Sequence, residues 1–227
     1  PLQWPSRSSG GGDVQMTQYA MAPVAMLGLL KMDFLGLTNL AILDRAVKMV
    51  RHTRGIDVDL YKLSLGDEKT FQLLSSGKTS EVFQLESAGM QRYIEKLKPS
   101  VLGDISAMIA LYRPGPMEHI DRFIDAKHGR TKTEYPHPSL QTILEETYGV
   151  IVYQEQVLKI LQVFAGYSAG EADIVRKAMG KKIAELMGKE RTRFMKGAVD
   201  NGFEEAIAED VFNLIEPFAG YAFNKAH

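Results

Sequence analysis

The residues of this sequence best suited to chemistry are a lysine and an aspartate two positions apart in an apolar run. Lys31 and Asp33 are the charged residues of the segment 29–37. If this run is a strand, Lys31 and Asp33 share one face, and Leu30, Met32 and Phe34 share the other. A cation and a carboxylate on one strand face suit a phosphate and a metal ion. They also suit a salt bridge on a wet strand face, which the local pattern alone favours.

A second chemical feature is a concentration of basic side chains between residues 176 and 196. The segment 203–217 that follows holds five acidic residues and neither lysine nor arginine. Concentrated positive charge beside helix ends suits phosphate, although a solvated helix face gives the same pattern. The eight basic residues are Arg176, Lys177, Lys181, Lys182, Lys189, Arg191, Arg193 and Lys196.

Composition excludes several classes of protein. The chain has 227 residues, 45% of them apolar, and a formal net charge of −1, so overall charge gives no argument for nucleic acid. Cysteine is absent, which excludes disulfides and thiolate metal sites and fits the cytoplasm. The apolar stretch 21–37 contains Pro23 as well as Lys31 and Asp33, and is too short and too charged to span a membrane.

Periodicity predicts a mainly α protein with a small β element at its N-terminal end. The strand carrying Asp33 is expected to end at Gly36, and residues 82–85 and 150–152 are read as a strand-like link and a short strand. Apolar spacing, caps and prolines predict helices near residues 38–53, 67–77, 86–97, 101–112, 117–128, 139–147, 154–165, 169–179, 181–201 and 203–218.

Six segments stand out in order along the sequence: KMDFLGL (31–37), VFQLES (82–87), LYRPGP (111–116), YGVIVYQEQ (148–156), RKAMGKK (176–182) and FAGYAFNKAH (218–227). Together they resemble motifs of the C-family replicative DNA polymerases, the alpha subunits of bacterial DNA polymerase III. Lys177 departs from the family's paired arginines and Ala226 from its "NKSH" serine. The family's upstream "P-D-x-D-x-D-F" stretch, with two further carboxylates, does not occur, so the sequence is expected to be a piece of a longer protein, inactive alone.

The resemblance implies a palm edge segment over residues 1–37 and a multi-helical fingers domain over residues 38–227. It implies nucleotidyl transfer with two Mg²⁺ ions, in which Asp33 is a catalytic, metal-binding carboxylate and Lys31 faces the triphosphate. Implied partners are template-primer DNA, deoxynucleoside triphosphates and other replicase subunits, in the cytoplasm and without a membrane.

Further residues that the resemblance places at the nucleotide or DNA lie in the other motifs. Arg176 is expected to grip phosphate, because arginine binds oxygens bidentately and Lys177 cannot. Structural explanations stay open for the other motifs: a rigid turn at 112–116, helix capping at 153–156 and core packing at 218–227. The full set is Lys31, Tyr112, Arg113, Gln154, Arg176, Lys177, Lys181, Lys182, Asn224, Lys225 and His227.

Two other functions compete with the polymerase fingers. A non-catalytic helical nucleic-acid-binding module has no need of a carboxylate beside a lysine on an apolar strand. A protein-interaction scaffold has no need of the basic concentration at 176–196. The six ordered motifs favour the polymerase.

Overall fold

A computed structural model describes residues 2–3, 15–30, 32, 34–180, 184–218 and 221–226. Contacts between Cα atoms divide the chain into two units, Pro1–Leu60 and Tyr61–His227. The predicted division between residues 37 and 38 stays a prediction. None of the helices in the described ranges is both long and apolar enough to cross a membrane.

The first unit combines two very short strands with two helices. Strand β1 (Leu2–Gln3) pairs antiparallel with β2 (Met16–Thr17), and helices α1 (Met21–Met26) and α2 (Thr38–Arg54) follow. Helix α2 ends at Gly55, whose φ of 66° is the left-handed conformation that glycine adopts at helix C-termini. Every residue of α2 retains substantial exposure, including the apolar face that the sequence predicts.

The predicted strand around Asp33 is wrong for those of its residues that the structure describes. Residues 29, 30, 32 and 34–37 have no regular secondary structure, and Leu30 and Phe34 are 83% and 90% exposed. A strand needs a neighbour to satisfy its backbone groups, and no described residue pairs with this run. The small N-terminal β element is instead the β1–β2 pair.

The second unit is helical, which confirms the mainly α class. Short 3₁₀ turns stand before α6 and on both sides of α7, at Pro116–His119, Pro138–Leu140 and Glu145–Thr147, so these two predicted helices are shorter than expected. The α-helices are α3 (Glu68–Ser75), α4 (Ala88–Leu97), α5 (Leu102–Leu111), α6 (Ile120–Lys127), α7 (Gln141–Leu144), α8 (Gln154–Ala165), α9 (Ala169–Gly180), α10 (Ala184–Asp200) and α11 (Glu205–Phe218).

Local signals explain where several of these helices begin and end. Asp67 accepts a hydrogen bond of 2.8 Å from the backbone N–H of Thr70 and begins α3, as predicted. Ser87 caps α4 in the same way through Met90 N–H. Helix α8 ends at Gly166, which has a left-handed φ of 70°.

Two apolar clusters form the core of this unit. One gathers buried side chains of α8 to α11, including Phe164, Phe194 and Phe212. The other gathers buried side chains of α4, α5 and α6, including Met108 and Phe123. Helix burial of this kind supplies most of the stability that isolated helices lack.

A short backbone connection lies between the two clusters. Tyr153 has an extended backbone, with φ −107° and ψ 146°, and forms a parallel bridge with Phe223. Phe223 N–H donates to Val152 O at 2.9 Å, and Gln154 N–H donates to Phe223 O at 2.8 Å. The strand predicted at 150–152 is thus a single bridge to the C-terminal segment.

Candidate functional site

One cleft of the second unit collects residues from three separate stretches of the chain. Its volume is about 430 Å³. The turn 82–87 and helix α4 form one side, the end of α5 another, and Phe223 a third. The lining residues are Gln84, Glu86, Ser87, Met90, Ile109, Tyr112, Arg113 and Phe223. Tyr112 and Arg113, which are neighbours in the sequence, both line this cleft, beside residues that the site prediction did not include.

The end of α5 fixes Tyr112 and Arg113. Tyr112 N–H donates to Met108 O at 2.9 Å, and Arg113 N–H donates to Leu111 O at 2.7 Å. Two prolines and Gly115, with a φ of 97°, then turn the chain sharply. The rigid interhelical turn and the presentation of two side chains to a cleft are both present in the structure.

Arg113 joins the end of α5 to the C-terminal segment. Its Nε donates to Ala110 O at 2.8 Å and its Nη2 donates to Tyr221 O at 2.9 Å. The guanidinium carbon lies 4.9 Å from the centre of the Phe223 ring. Partial burial lowers the pKa of Arg113 from its ordinary value, yet arginine stays charged at neutral pH. The cleft therefore contains a cation with a fixed position.

The segment 82–87 presents its polar side chains through a pair of turns, not through the strand-like link that the sequence suggests. The buried hydroxyl of Thr79 donates to Leu85 O at 2.7 Å. Leu85 is buried, while Gln84 has a φ of 63°, a left-handed conformation uncommon outside glycine. Such strained positions gather at functional sites, but a single sequence gives no sign of this one.

The segment Tyr153–Gln156 divides into structural and exposed parts. Gln156 is buried and makes four hydrogen bonds, accepting from the N–H groups of residues 152 and 153 and donating to Ile143 O and Thr147 Oγ1. The capping explanation is therefore correct for Gln156. Gln154 is only partly buried and does not line the cleft.

Lys225 lies at a second hollow, which Asn224 does not line. Lys225 Nζ contacts both carboxylate oxygens of Glu146, at 2.8 and 2.6 Å, and lies 5.2 Å from the Tyr153 ring centre. Burial first, then the carboxylates of Glu146 and Glu155, raise the pKa of Tyr153 to about 12. Asn224 accepts from Ala226 N–H. Lys225 is thus bound to a carboxylate, away from the cleft with Tyr112 and Arg113.

The two predicted phosphate ligands in α9 share one counter-ion. Arg176 donates from Nε and Nη2 to Asp173 Oδ1 at 3.0 and 2.8 Å, and Lys177 Nζ lies 2.6 Å from Asp173 Oδ2. Hydrogen bonds from Lys177 and Arg176 hold the pKa of Asp173 below its usual value. A phosphate reaching these cations must compete with that carboxylate.

Other members of the basic stretch are paired across helices. Arg191 donates to Glu209 and Asn213 of α11, at 2.7 and 2.9 Å. Arg193 pairs with Glu171 of α9 and lies over the Tyr167 ring. The composition therefore overstates the positive charge available to a ligand along this stretch.

Five predicted site residues lie outside the described residues: Lys31, Asp33, Lys181, Lys182 and His227. Within the described ranges, no group of three or more histidines, aspartates or glutamates could hold a metal ion. The described residues therefore do not test the predicted Mg²⁺ site.

Comparison with known sequences places the chain in a family. The bacterial DNA polymerase III alpha subunit finger domain matches residues 39–202. This chain belongs to that family. It is 50% identical to DNA polymerase III subunit alpha of Bacillus subtilis over all 227 residues, and 51% identical to the same subunit of Caulobacter vibrioides over 215 residues, 95% of the chain. The Thermus aquaticus subunit is 52% identical over 217 residues, 93% of the chain.

The finger-domain chain spans about a fifth of the length of these relatives: 20% of the Bacillus subunit, 19% of the Caulobacter subunit and 18% of the Thermus subunit. The family assignment confirms the resemblance that the sequence motifs indicate. The motifs at 31–37 and 218–227 lie outside the residues matched by the family model but inside the alignment with the Bacillus subunit. The family match begins at residue 39, close to the start of α2, and ends at residue 202, in the turn before α11.

Proposed function

We propose that this chain forms the fingers of a replicative DNA polymerase and that the cleft beside Arg113 contacts template-primer DNA or the incoming deoxynucleoside triphosphate. The observation that carries the proposal is convergence. Gln84, Tyr112 and Phe223 come from three sequence segments that each resemble a polymerase motif, and they line one cleft. Local folding does not require segments so far apart in the sequence to come together.

The chemistry of the cleft suits a nucleotide. The rings of Tyr112 and Phe223 offer flat faces for a base, which contributes about 1–3 kcal/mol per stacked base in single-strand binders. The side chains of Gln84, Glu86 and Ser87 offer donors and acceptors for polar edges. Arg113 supplies a fixed positive charge for phosphate.

The remaining cations are proposed to reach phosphate by exchange. Arg176 and Lys177 are bound to Asp173, and Lys225 is bound to Glu146. The pairs of Lys177 and Lys225 are exposed and that of Arg176 is partly exposed, and water weakens ion pairs in such positions, so a multiply charged triphosphate can displace the carboxylate. Gln154, Asn224, Lys181, Lys182 and His227 remain proposed contacts without a geometric argument.

The metal chemistry is proposed from the family resemblance alone. Asp33 would contribute one carboxylate to a site for two Mg²⁺ ions, and Lys31 a positive charge beside it. Bound divalent metal supplies charge stabilisation during phosphoryl transfer. In a complete subunit, Asp33→Asn should reduce the rate of nucleotide incorporation by at least about 10²-fold. An unchanged kcat and metal dependence would exclude Asp33 from the site.

Gln84→Gly tests the cleft without disturbing the fold. Glycine accepts the left-handed backbone of residue 84 and deletes the side chain that lines the cleft. Lys98→Gly is the matched control, because Lys98 also has a positive φ, of 47°, and lies outside the cleft. We expect Gln84→Gly to raise KM for the nucleotide or Kd for primer-template DNA several-fold, with an unchanged Tm. Equal binding by both variants would contradict the role of the cleft.

Primer extension separates the polymerase from a non-catalytic binding module. A complete alpha subunit carrying this segment should extend a primer with Mg²⁺ and four nucleotides, and the 227-residue chain alone should not. The cytoplasm is the proposed location, and other replicase subunits are proposed partners. DNA binding by the complete subunit without extension would favour the module.

A further inference from the structure

Gly89 occupies a helical position at which its own backbone gives no reason for glycine. It is the second residue of α4, directly after the Ser87 cap and Ala88, and it does not belong to the residues with positive φ. Alanine is the more favourable residue inside a helix, because glycine has more backbone freedom to lose. The reason for glycine must therefore lie in its surroundings.

The phenol of Tyr112 lies directly against Gly89. A Cβ added to Gly89 would overlap Tyr112 Oη and would lie 3.1 Å from Tyr112 Cζ. The Tyr112 ring also makes an edge contact with Tyr93, with ring centres 5.9 Å apart and an angle of 66°. Because an aromatic ring is rigid, its hydroxyl cannot move aside without moving the ring.

We propose that Gly89 is a positioning residue that holds the Tyr112 ring in the wall of the cleft. The missing side chain lets the phenol lie on the first turn of α4, so that the ring of Tyr112 lines the cleft together with Ser87 and Met90. Any side chain at position 89 displaces the ring and changes the shape of the cleft. The steric contact between Gly89 and Tyr112 does not depend on the ligand, whereas its expected effect on DNA binding rests on the function proposed above.

The chain offers a matched control in α9. Gly170 is likewise the second residue of its helix, and a Cβ added there meets nothing within 4 Å. A serine stands two residues before each glycine, and each serine hydroxyl accepts from a backbone N–H of its own helix. Gly170→Ala therefore reports the effect of alanine at this helical position without the clash.

The first measurement is thermal unfolding of the 227-residue chain and of variants carrying Gly89→Ala, Tyr112→Phe, both changes, or Gly170→Ala. We expect Gly170→Ala to keep or raise Tm and Gly89→Ala to lower Tm by roughly 3 °C. Since phenylalanine lacks the overlapping hydroxyl, Tyr112→Phe should remove most of the effect of Gly89→Ala. An equal effect of Gly89→Ala in both backgrounds, or a Gly89→Ala variant that behaves like Gly170→Ala, would overturn the proposal.

The second measurement is the anisotropy of a fluorescein-labelled primer-template DNA titrated with the same variants. Gly89→Ala should weaken binding about tenfold. The double variant should bind like Tyr112→Phe alone, and Gly170→Ala like the parent. If unfolding shows the coupling while all variants bind DNA equally, Gly89 still positions Tyr112, and the function proposed for the cleft is contradicted instead.

Discussion

The ammonium of Lys127 lies 2.9 Å from a carboxylate oxygen of Asp104, and both side chains are nearly inaccessible, at 9% and 2% exposed. The same carboxylate accepts from the N–H groups of Ser100 and Val101, and its other oxygen accepts from Tyr148 Oη. Burial alone would raise the pKa of Asp104. Hydrogen bonds from Ser100 and the charge of Lys127 outweigh it, so the pKa is lowered.

The Asp104–Lys127 pair should contribute stability that disappears in acid. Because the pKa of Asp104 in the folded protein lies below its ordinary value of 3.8, the contribution is full above that pH and is lost as the pH falls through the folded value. Asp104→Asn should lower the free energy of unfolding by about 3 kcal/mol at pH 7, since it leaves Lys127 buried without its partner. Urea unfolding at pH 7 and pH 3 measures this.

The deficit of Asp104→Asn should narrow at pH 3, because the parent is then losing the same negative charge. Asp125→Asn is a suitable control, since the ion pair of Asp125 with Arg130 is far more exposed. A deficit that is the same at both pH values would mean that hydrogen bonding alone, and not the charge, stabilises this contact.

Gly197→Ala should destabilise the crossing of α8 and α10. A Cβ on Gly197 would overlap Ala165 O and lie 3.1 Å from the Ala165 carbonyl carbon. Both are backbone atoms, which cannot move away by a change of rotamer. We expect a loss of about 1–3 kcal/mol in the free energy of unfolding, the usual cost of overpacking.

Gly188→Ala provides the comparison for Gly197, because it lies in the same helix and meets nothing within 4 Å. It should be neutral or raise stability by up to about 1 kcal/mol. Chemical denaturation of both variants would settle the matter: if they shift together, the helices do not approach as closely as the structure shows.

Gln156→Leu should be far more harmful to folding than Gln154→Leu. Leucine at position 156 removes the acceptor of two buried backbone N–H groups and the donor to Ile143 O and Thr147 Oγ1, at a cost of about 1–3 kcal/mol or more. Thr147 Oγ1 keeps its hydrogen bond to Leu144 O. Residue 154 is partly exposed, so Gln154→Leu should change the free energy of unfolding little. Denaturant midpoints of the two variants test this, and similar midpoints would contradict the buried network.

Arg176→Lys should impair a complete subunit more than Lys177→Arg, which restores the family's second arginine. Lysine cannot reproduce the fork of two N–H groups that Arg176 now directs at Asp173 and is proposed to direct at phosphate. The measurement is kcat/KM for single-nucleotide incorporation at two salt concentrations. Parent-like values for Arg176→Lys would show that this side chain is part of a solvated face.

Asp173→Asn separates the two partners of Arg176. If the carboxylate only competes with phosphate, its removal should lower KM for the nucleotide about two- to fivefold. If Asp173 must hold Arg176 in place, KM should rise. Glu171→Gln is the control, because Glu171 lies in α9 like Asp173 but pairs with Arg193 of α10 instead of with Arg176.

The sequence predicts the helices well because their signals are local. Asp67 and Ser87 begin helices as caps, and Gly55 and Gly166 end them, each through contacts within four residues. The predicted strand fails at residues 29, 30, 32 and 34–36 for the opposite reason, since strand pairing needs a neighbour that local pattern does not supply.

The candidate site is predictable only in part. Tyr112 and Arg113 are found because their motif resembles a family segment. The pairing of Arg191 with Glu209 and of Arg193 with Glu171 depends on how helices pack, so charge runs in the sequence mislead. The left-handed backbone of Gln84 and the steric contact of Gly89 have no signal in one sequence, because the first is a backbone angle and the second involves a ring that is distant along the chain.

The bridge between residues 153 and 223 has a consequence for how the second unit unfolds. The side chains of the two bridged segments divide between the cores: Ile151 and Ala222 enter one core, while Val152 and Phe223 enter the other. If either core unfolds, the bridged segments lose their packing on that side, which weakens the backbone that supports the other core. We therefore expect the two cores to unfold together, and the cleft lined by Phe223 to be lost in the same transition.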